Sequence, residues 1–210
     1  MNTPILKLRK GRAARDPERT RTNLLRAASS EVYHSGFQGA GLDRILAKAA
    51  VTKGALYHYF DSKEALGYAI VDEVIMSITE EKWLTPLRES TNPIDTLIGI
   101  VKRTSLLPEH VEGGCPLNNL SQEMSPLDEG FRRRAAKVFR VWRDAIRTAL
   151  NEGQKCGQVR RDLDIEDEAT FLVAAYEGYL SLAKNAQEAS VLRTGLRRIT
   201  NHLETLRSKD

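Results

Sequence analysis

Cysteine is scarce in this chain: Cys115 and Cys156 are the only two among 210 residues. Two cysteines are too few for a disulfide framework, and no Cys/His spacing along the chain matches a zinc site. We therefore predict a protein with no structural metal and no cofactor.

Long apolar runs are missing too. No stretch approaches the roughly 20 apolar residues needed to cross a bilayer, and no signal-peptide apolar core follows the basic N-terminus. These absences predict a cytoplasmic protein that does not enter a membrane.

Patterns typical of catalytic sites are missing as well. The four histidines show no signature partner spacing, and no Ser-His-Asp or paired-acid pattern stands out. The sequence therefore predicts that the protein is not an enzyme. The alternative within the enzyme class is a thiol-dependent enzyme that uses Cys115.

What the chain does contain favours helices and a basic N-terminal third. Hydrophobic residues make up 41% and charged residues 29%, and Leu, Ala and Arg outweigh the β-branched types, which predicts an all-α fold. Residues 1–63 hold 12 Lys and Arg against 5 Asp and Glu, a net charge of +7, whereas the whole chain carries only +4. This imbalance indicates a polyanion-binding module joined to a mildly acidic body.

The first helices are marked by their end signals. Residues 1–16 are basic and lack periodicity, which predicts a flexible arm; a solvated basic tail is the alternative for residues 1–15. Asp16 and Pro17 then suit the N-cap and first position of a helix that runs to Gly36. A long helix is predicted from Ser62 to near Pro86.

Between these helices lie two short helical patterns separated by the letters AAVT, and Thr52 suits the N-cap of the second. Two short helices joined by a tight turn form a helix-turn-helix, whose second helix enters the major groove of DNA by its N-terminal residues. Tyr59 and Phe60 are predicted to pack inward. The predicted DNA-binding residues are Arg44, Thr52, Lys53, Gly54, Ala55, Tyr57, His58 and Lys63.

Further helices are predicted over 92–107, 116–124, 128–152, 165–186 and 190–207, with a loop over 108–114. The helix over 165–186 has two apolar faces, one of which holds Phe171, Ala175, Gly178 and Leu182. That is more apolar face than one small body needs, so we predict a second copy as partner. The alternative is that both faces are buried within one chain.

At this point the sequence resembles a known family. The stretch LDRILAKAAVTKGALYHYFDSKEAL is similar to the DNA-binding signature of TetR-type bacterial transcriptional regulators. The resemblance implies a helix-turn-helix domain over 17–62, a larger helical effector-binding and dimerisation domain over 63–210, and a homodimer formed through about 165–207. Leu42, Ala50 and Thr52 depart from the usual Thr or Ser, Gly and Ser of that signature.

The predicted function is therefore a sequence-specific repressor that a small-molecule or electrophilic effector releases from a palindromic operator in double-stranded DNA. The basic arm, with Arg9, Lys10, Arg12 and Arg15, is predicted to reach the minor groove or neighbouring phosphates. A sequence-indifferent architectural protein held to DNA by this arm is a further alternative.

The segment around Cys115 is the candidate sensor. Pro116 suits the first position of a helix, so Cys115 would stand at its N-cap, where the helix dipole lowers the pKa of a thiol. Cys115 is predicted either to sense electrophiles or to line the effector pocket; the alternative is an inert, buried capping residue. The resemblance implies that the other pocket residues are Trp83, Val101, Thr104, Asn118, Asn119, Phe139, Trp142 and Tyr176.

Overall fold

The computed structural model describes residues 17–209 except for the side chain of Glu109. The predicted arm and the predicted Asp16 cap lie outside the described residues. Within them the chain forms ten helical segments, so the all-α prediction is confirmed, and none of these helices is long and apolar enough to cross a membrane. The segments are α1 (Pro17–Gly39), α2 (Leu42–Ala49), α3 (Lys53–Tyr59), α4 (63–88), α5 (Pro93–Lys102), α6 (Pro108–Gly113), α7 (Pro116–Met124), α8 (Glu129–Lys155), α9 (Ile165–Ala186) and α10 (Ala189–Thr205).

Side-chain caps start α3 and α4 where the sequence predicts them. Thr52 Oγ1 accepts a hydrogen bond from the Ala55 amide at 3.3 Å, and Ser62 Oγ accepts one from the Ala65 amide at 3.1 Å. Each cap satisfies a backbone N–H that has no partner inside the helix. The start of each helix is thereby fixed by a single side chain.

The regular part of α1 stops at Gly36, as predicted, where φ is 73° and ψ is 166°. The structure adds one further turn, which runs to Gly39. The Glu123 carboxylate at the end of α7 accepts the amides of Phe37 at 2.7 Å and Gln38 at 2.8 Å. This last turn is therefore capped by a side chain from 85 residues along the chain.

Ala50 ends α2 in the left-handed region, with φ 54° and ψ 43°. That conformation brings the β-carbon of a non-glycine residue too close to the backbone and costs about 1 kcal/mol. The departure from the usual glycine at this turn therefore leaves the backbone geometry of the turn in place and adds strain.

Helix α4 contains two π-helical turns, Ile70–Ile75 and Glu80–Leu84, between α-helical pieces. A π turn holds more residues than an α turn, so it shifts the buried stripe by one position. The i+4 spacing of Leu66, Ile70, Val74 and Ile78 predicts the buried stripe of α4. This prediction is wrong in its second half, because Ile75 and Trp83 are buried and Ile78 is 47% exposed.

Two other element predictions are corrected. The helix predicted over 92–107 ends at Lys102, and the segment predicted as a loop over 108–114 contains α6. Pro108 occupies the first turn of α6, where its missing N–H has no cost, and Gly114 with φ 69° ends the helix. Pro108 and Gly114 thus mark the two ends of a helix, whereas the sequence predicts that they belong to a loop.

Two apolar clusters form the interior. The first joins α1, α2 and α3 to α4, α7 and the start of α8, and so crosses the predicted domain boundary at residue 62. The second joins α4 and α5 to α8, α9 and α10. Cys115 and Phe139 are partly buried against both clusters, which places them at the junction.

The outer face of α9 is not covered by residues 17–209. Phe171 is 49% exposed and Leu182 is 57% exposed, and a β-carbon added at Gly178 would meet open space. The opposite face, with Leu172, Tyr176 and Ala183, is buried. Among the described residues, the alternative that both faces are buried is therefore wrong.

Candidate nucleic-acid interface and adjoining cavity

Helix α3 presents a polar and aromatic face to solvent. Lys53, Gly54 and His58 are exposed, Tyr57 is 41% exposed, and the Lys53 ammonium lies 6.0 Å from the centroid of the Tyr57 ring. The opposite face is held by Leu56, which is fully buried. Four of the five predicted contact residues of α3 therefore share one accessible surface, which offers a cation, a hydroxyl and an imidazole; the fifth, Ala55, is half-buried.

Phe60 is buried and Tyr59 partly buried against the first apolar cluster, as predicted. The Tyr59 ring makes an edge contact with His58 at a centroid distance of 5.0 Å. One ring of this short helix thus anchors it, and the next supports the exposed imidazole.

Two predicted contacts outside α3, Arg44 and Lys63, are already engaged with α1. Arg44 pairs with Glu31 and donates to the Gly39 carbonyl at 2.8 Å, while keeping an exposed guanidinium. Lys63 donates to the Gln38 carbonyl at 3.3 Å and lies 5.0 Å from the Phe37 ring centroid. Both side chains connect the α1 turn to the helices that flank α3.

A cavity of about 1550 Å³ lies beside this bundle, walled by parts of α1, α4, α7, α8 and α9. Its lining includes seven of the predicted pocket residues. Val101 packs into the second apolar cluster and Phe139 packs between the two clusters, so neither forms part of the wall. The predicted residues that do line the cavity are Trp83, Thr104, Cys115, Asn118, Asn119, Trp142 and Tyr176.

Three aromatic rings form one wall of the cavity. The Trp83 ring centroid lies 4.6 Å from that of Trp142 and 5.0 Å from that of Tyr176, and the last two are 5.9 Å apart. The Tyr176 ring stands nearly perpendicular to both Trp rings, at 84° and 82°, so the packing fixes the rings and gives an apolar wall for a ligand.

A cation stands next to these rings that the sequence prediction missed. Lys82 donates a hydrogen bond to the Tyr176 hydroxyl, which also lies 2.9 Å from Thr104 Oγ1. Burial lowers the pKa of Lys82 because an ammonium loses its hydration there. In the sequence, Lys82 is marked by its position next to Trp83. Both residues lie on a stripe of α4 that the π turns displace.

Glu177 is the second missed residue. It is only 6% exposed, and neither carboxylate oxygen has a hydrogen-bond partner among the described residues. Burial raises the pKa of Glu177 to about 7, against opposing effects of the Cys115 thiol and the Lys82 ammonium. A charged residue within a helix that has two apolar faces is the signal that sequence reasoning did not use.

Cys115 does stand at the N-cap position of α7 and lines the cavity, but its predicted activation is wrong. Backbone amides of Asn118 and Leu117 favour the thiolate, as expected at a helix start. Burial and the nearby Glu177 carboxylate outweigh them and raise the pKa of Cys115 well above its ordinary value. The thiol is therefore neutral at physiological pH.

The two predicted asparagines hold α7 in place. Asn118 donates to Ser181 Oγ at 2.8 Å, and Asn119 donates to the Gly113 carbonyl at 2.7 Å and accepts from Lys184 at 2.9 Å. Their amides are thus engaged with α6 and α9 at the rim of the cavity.

Comparison with known proteins agrees with this arrangement. Residues 24–70 match the family model described as bacterial regulatory proteins of the tetR family, and residues 94–199 match that of the tetracyclin repressor-like C-terminal domain. The chain belongs to the TetR family. It is a DNA-binding transcriptional regulator, and TetR-family regulators bind DNA operators as dimers that respond to small-molecule effectors.

Individual TetR-family proteins are similar over most of the chain. The transcriptional repressor DhaR of Mycobacterium sp. (strain GP1) is 31% identical over 79% of this chain and 81% of its own. The transcriptional regulator AcuR of Cereibacter sphaeroides is 28% identical over 92% and 90%. The crystal structure of E. coli NemR in its reduced form superposes with a TM-score of 0.78 at 26% identity, covering 91% of this chain and 98% of that chain.

Proposed function

We propose that this TetR-family regulator is a repressor that a small molecule bound in the cavity releases from a palindromic operator. The observation that carries the proposal is the accessible face of α3 together with a large cavity whose walls include α1 and α4, the helices that hold α3. Repressors among its relatives support the direction of regulation.

DNA contact would use two copies of α3. Lys53, Tyr57 and His58 lie on its exposed face, and the open backbone at Gly54 lets the helix approach the groove. In a dimer the two recognition helices enter successive major grooves about 34 Å apart. The uncovered face of α9 supports pairing of two copies through 165–207, with the DNA-binding domain over 17–62 and the effector domain over 63–210.

Two connections link the cavity to the DNA-binding helices. The first is α4, which begins beside α3 and carries Lys82 and Trp83 in the cavity wall. The second is the Gly114–Glu123 segment: the Tyr33 hydroxyl donates to the Gly114 carbonyl at 2.9 Å, and Glu123 caps the last turn of α1. An effector that moves α4 or α7 thereby changes the position of α3.

Release through chemical modification of Cys115 is the second candidate. Its support is the position of Cys115 in the cavity wall, and a similar protein, NemR, has been crystallised in a form described as reduced. The neutral state of the thiol argues against it, because the thiolate is the nucleophile. Loss of DNA binding after treatment with an alkylating electrophile, abolished by Cys115→Ser, would support this candidate over reversible binding.

The decisive experiment has two stages. DNA bound by the purified full-length chain is selected from a random pool, and the selected site is footprinted; a protected palindrome is expected. Small molecules are then screened for release of that DNA by fluorescence anisotropy. A uniform footprint without a preferred sequence would favour the architectural alternative.

A further inference from the structure

Glu177 is a buried carboxylate whose two oxygens lack a hydrogen-bond partner among the described residues; the buried Trp142 indole N–H and Arg143 Nε lack one as well. The other two buried polar residues, Thr79 and Glu168, are satisfied: Thr79 donates to the Ile75 carbonyl at 2.9 Å, and Glu168 lies 2.7 Å from His202 Nε2. Glu177 is equally buried, yet both of its oxygens lack a partner. A carboxylate removed from water without hydrogen bonds is unfavourable, and such a group indicates a missing donor.

The position of Glu177 shows where the donor would come from. Glu177 lines the cavity together with Trp83, Trp142 and Tyr176, whose rings form the apolar wall described above. The faces of such rings attract cations. A carboxylate beside an aromatic wall is therefore suited to a positively charged group attached to an apolar body.

Lys82, the cation already present in the cavity wall, does not donate a hydrogen bond to Glu177. Lys82 donates to the Tyr176 hydroxyl and lies 4.9 Å from the Tyr176 ring centroid and 5.7 Å from that of Trp83. The Lys82 ammonium is near enough to lower the pKa of Glu177, but it makes no hydrogen bond to the carboxylate. Cys115 acts on Glu177 with a thiol, which is only a weak donor. The described residues therefore give Glu177 no strong hydrogen-bond donor.

We propose that the effector is an apolar amine whose protonated nitrogen binds Glu177. This inference rests on the proposed function and assigns to Glu177 the recognition of the charged group. The apolar part of the ligand packs on Trp83 and Trp142, and the ammonium donates to the carboxylate. The cavity volume of about 1550 Å³ admits a molecule of ordinary effector size.

The test is isothermal titration calorimetry on the full chain without DNA, with three probes that share an indole ring. Tryptamine carries an ammonium, indole-3-propionate carries a carboxylate, and 3-methylindole carries neither. Tryptamine should bind more tightly than either of the others. Glu177→Gln should weaken tryptamine by about tenfold or more, because it removes a buried charged acceptor. The matched control is Glu112→Gln, the same change at an exposed residue of α6, which should stay within about twofold of the unmodified protein.

The ranking of the probes on the unmodified protein decides the matter even if Glu177→Gln does not fold. Absence of tryptamine binding, or tighter binding of indole-3-propionate, would overturn the proposal. Equal tryptamine affinity in a folded Glu177→Gln variant would overturn it too.

DNA release is measured separately, so that the two proposals fail in different ways. Tryptamine that binds through Glu177 but leaves the operator bound would contradict the effector role of the cavity and support the amine site. Release by indole-3-propionate with no tryptamine binding would support the effector role and overturn the amine site.

Discussion

The exposed face of α3 and the wall of the cavity differ in the hydration of their polar groups and in how far apart these groups lie in the sequence. On α3 the polar groups are hydrated and come from seven consecutive residues, with one cap and one buried anchor to orient them. In the cavity the polar groups are buried, and they come from α4, the segment after α5, the start of α7 and α9. A surface for a charged polymer is thus a local property of the chain, whereas a small-molecule site depends on the whole assembly.

The largest effect is expected from breaking the α3 face. The double variant Lys53→Ala, Tyr57→Ala should lower affinity for the selected operator about a thousandfold or more, because each removed contact is worth about 1–3 kcal/mol and a dimer loses each of the two contacts twice. Fluorescence anisotropy with the selected DNA measures it. Lys102→Ala, an exposed lysine of α5, is the control and should change affinity little. A loss smaller than about threefold in the double variant would move recognition away from this face.

The burial of Glu177 in the cavity wall should make the free energy of unfolding depend on pH. The folded chain holds the pKa of Glu177 at about 7, above the ordinary 4.5. Below about pH 4.5 the Glu177 carboxyl is protonated in both the folded and the unfolded state. Between about pH 4.5 and pH 7 it ionises in the unfolded state but stays protonated in the folded state, so the free energy of unfolding falls by about 3 kcal/mol in total. Urea unfolding at several pH values should show this fall, and Glu177→Gln should remove it. Parallel profiles for the two proteins would refute the assignment.

The connection between the two regions can be weakened at Glu123. Glu123→Ala leaves the amides of Phe37 and Gln38 without their acceptor, which should lower the free energy of unfolding by about 1–2 kcal/mol. It should also weaken DNA binding, because the last turn of α1 contacts Arg44 and Lys63. Gln122→Ala on the exposed side of α7 is the control. Unchanged stability and unchanged DNA affinity would show that this cap does not couple the two regions.

The smallest effect is expected at the turn before α3, and its sign is informative. Ala50→Gly should stabilise the chain by about 1 kcal/mol, since glycine adopts φ 54° without strain. Ala47→Gly, inside α2, should destabilise it by a similar amount. Thermal unfolding of both variants measures the pair. A destabilising Ala50→Gly would mean that the turn is not strained.

The sequence predicts best where the signal is local. Thr52 and Ser62 are caps because a hydroxyl needs only the amide three residues later, and Leu56 and Phe60 are anchors because the helix is too short to bury anything else. It predicts the cavity less well, since burial of Glu177 depends on helices that are distant in sequence. Lys82 was missed for the same reason, and the low pKa expected for Cys115 neglected the burial that the assembled fold imposes.

The π turn at Ile70–Ile75 has a consequence for how α4 can change during evolution. A π turn takes up one residue more than an α turn, so the residues after it lie where those of a regular helix one residue shorter would lie. Deleting one residue within this turn should therefore leave Lys82 and Trp83 in the wall, whereas deleting one from an α-helical part of α4 would rotate them by about 100°. The place of a deletion between Ser62 and Trp83 thus decides whether the cavity wall survives it.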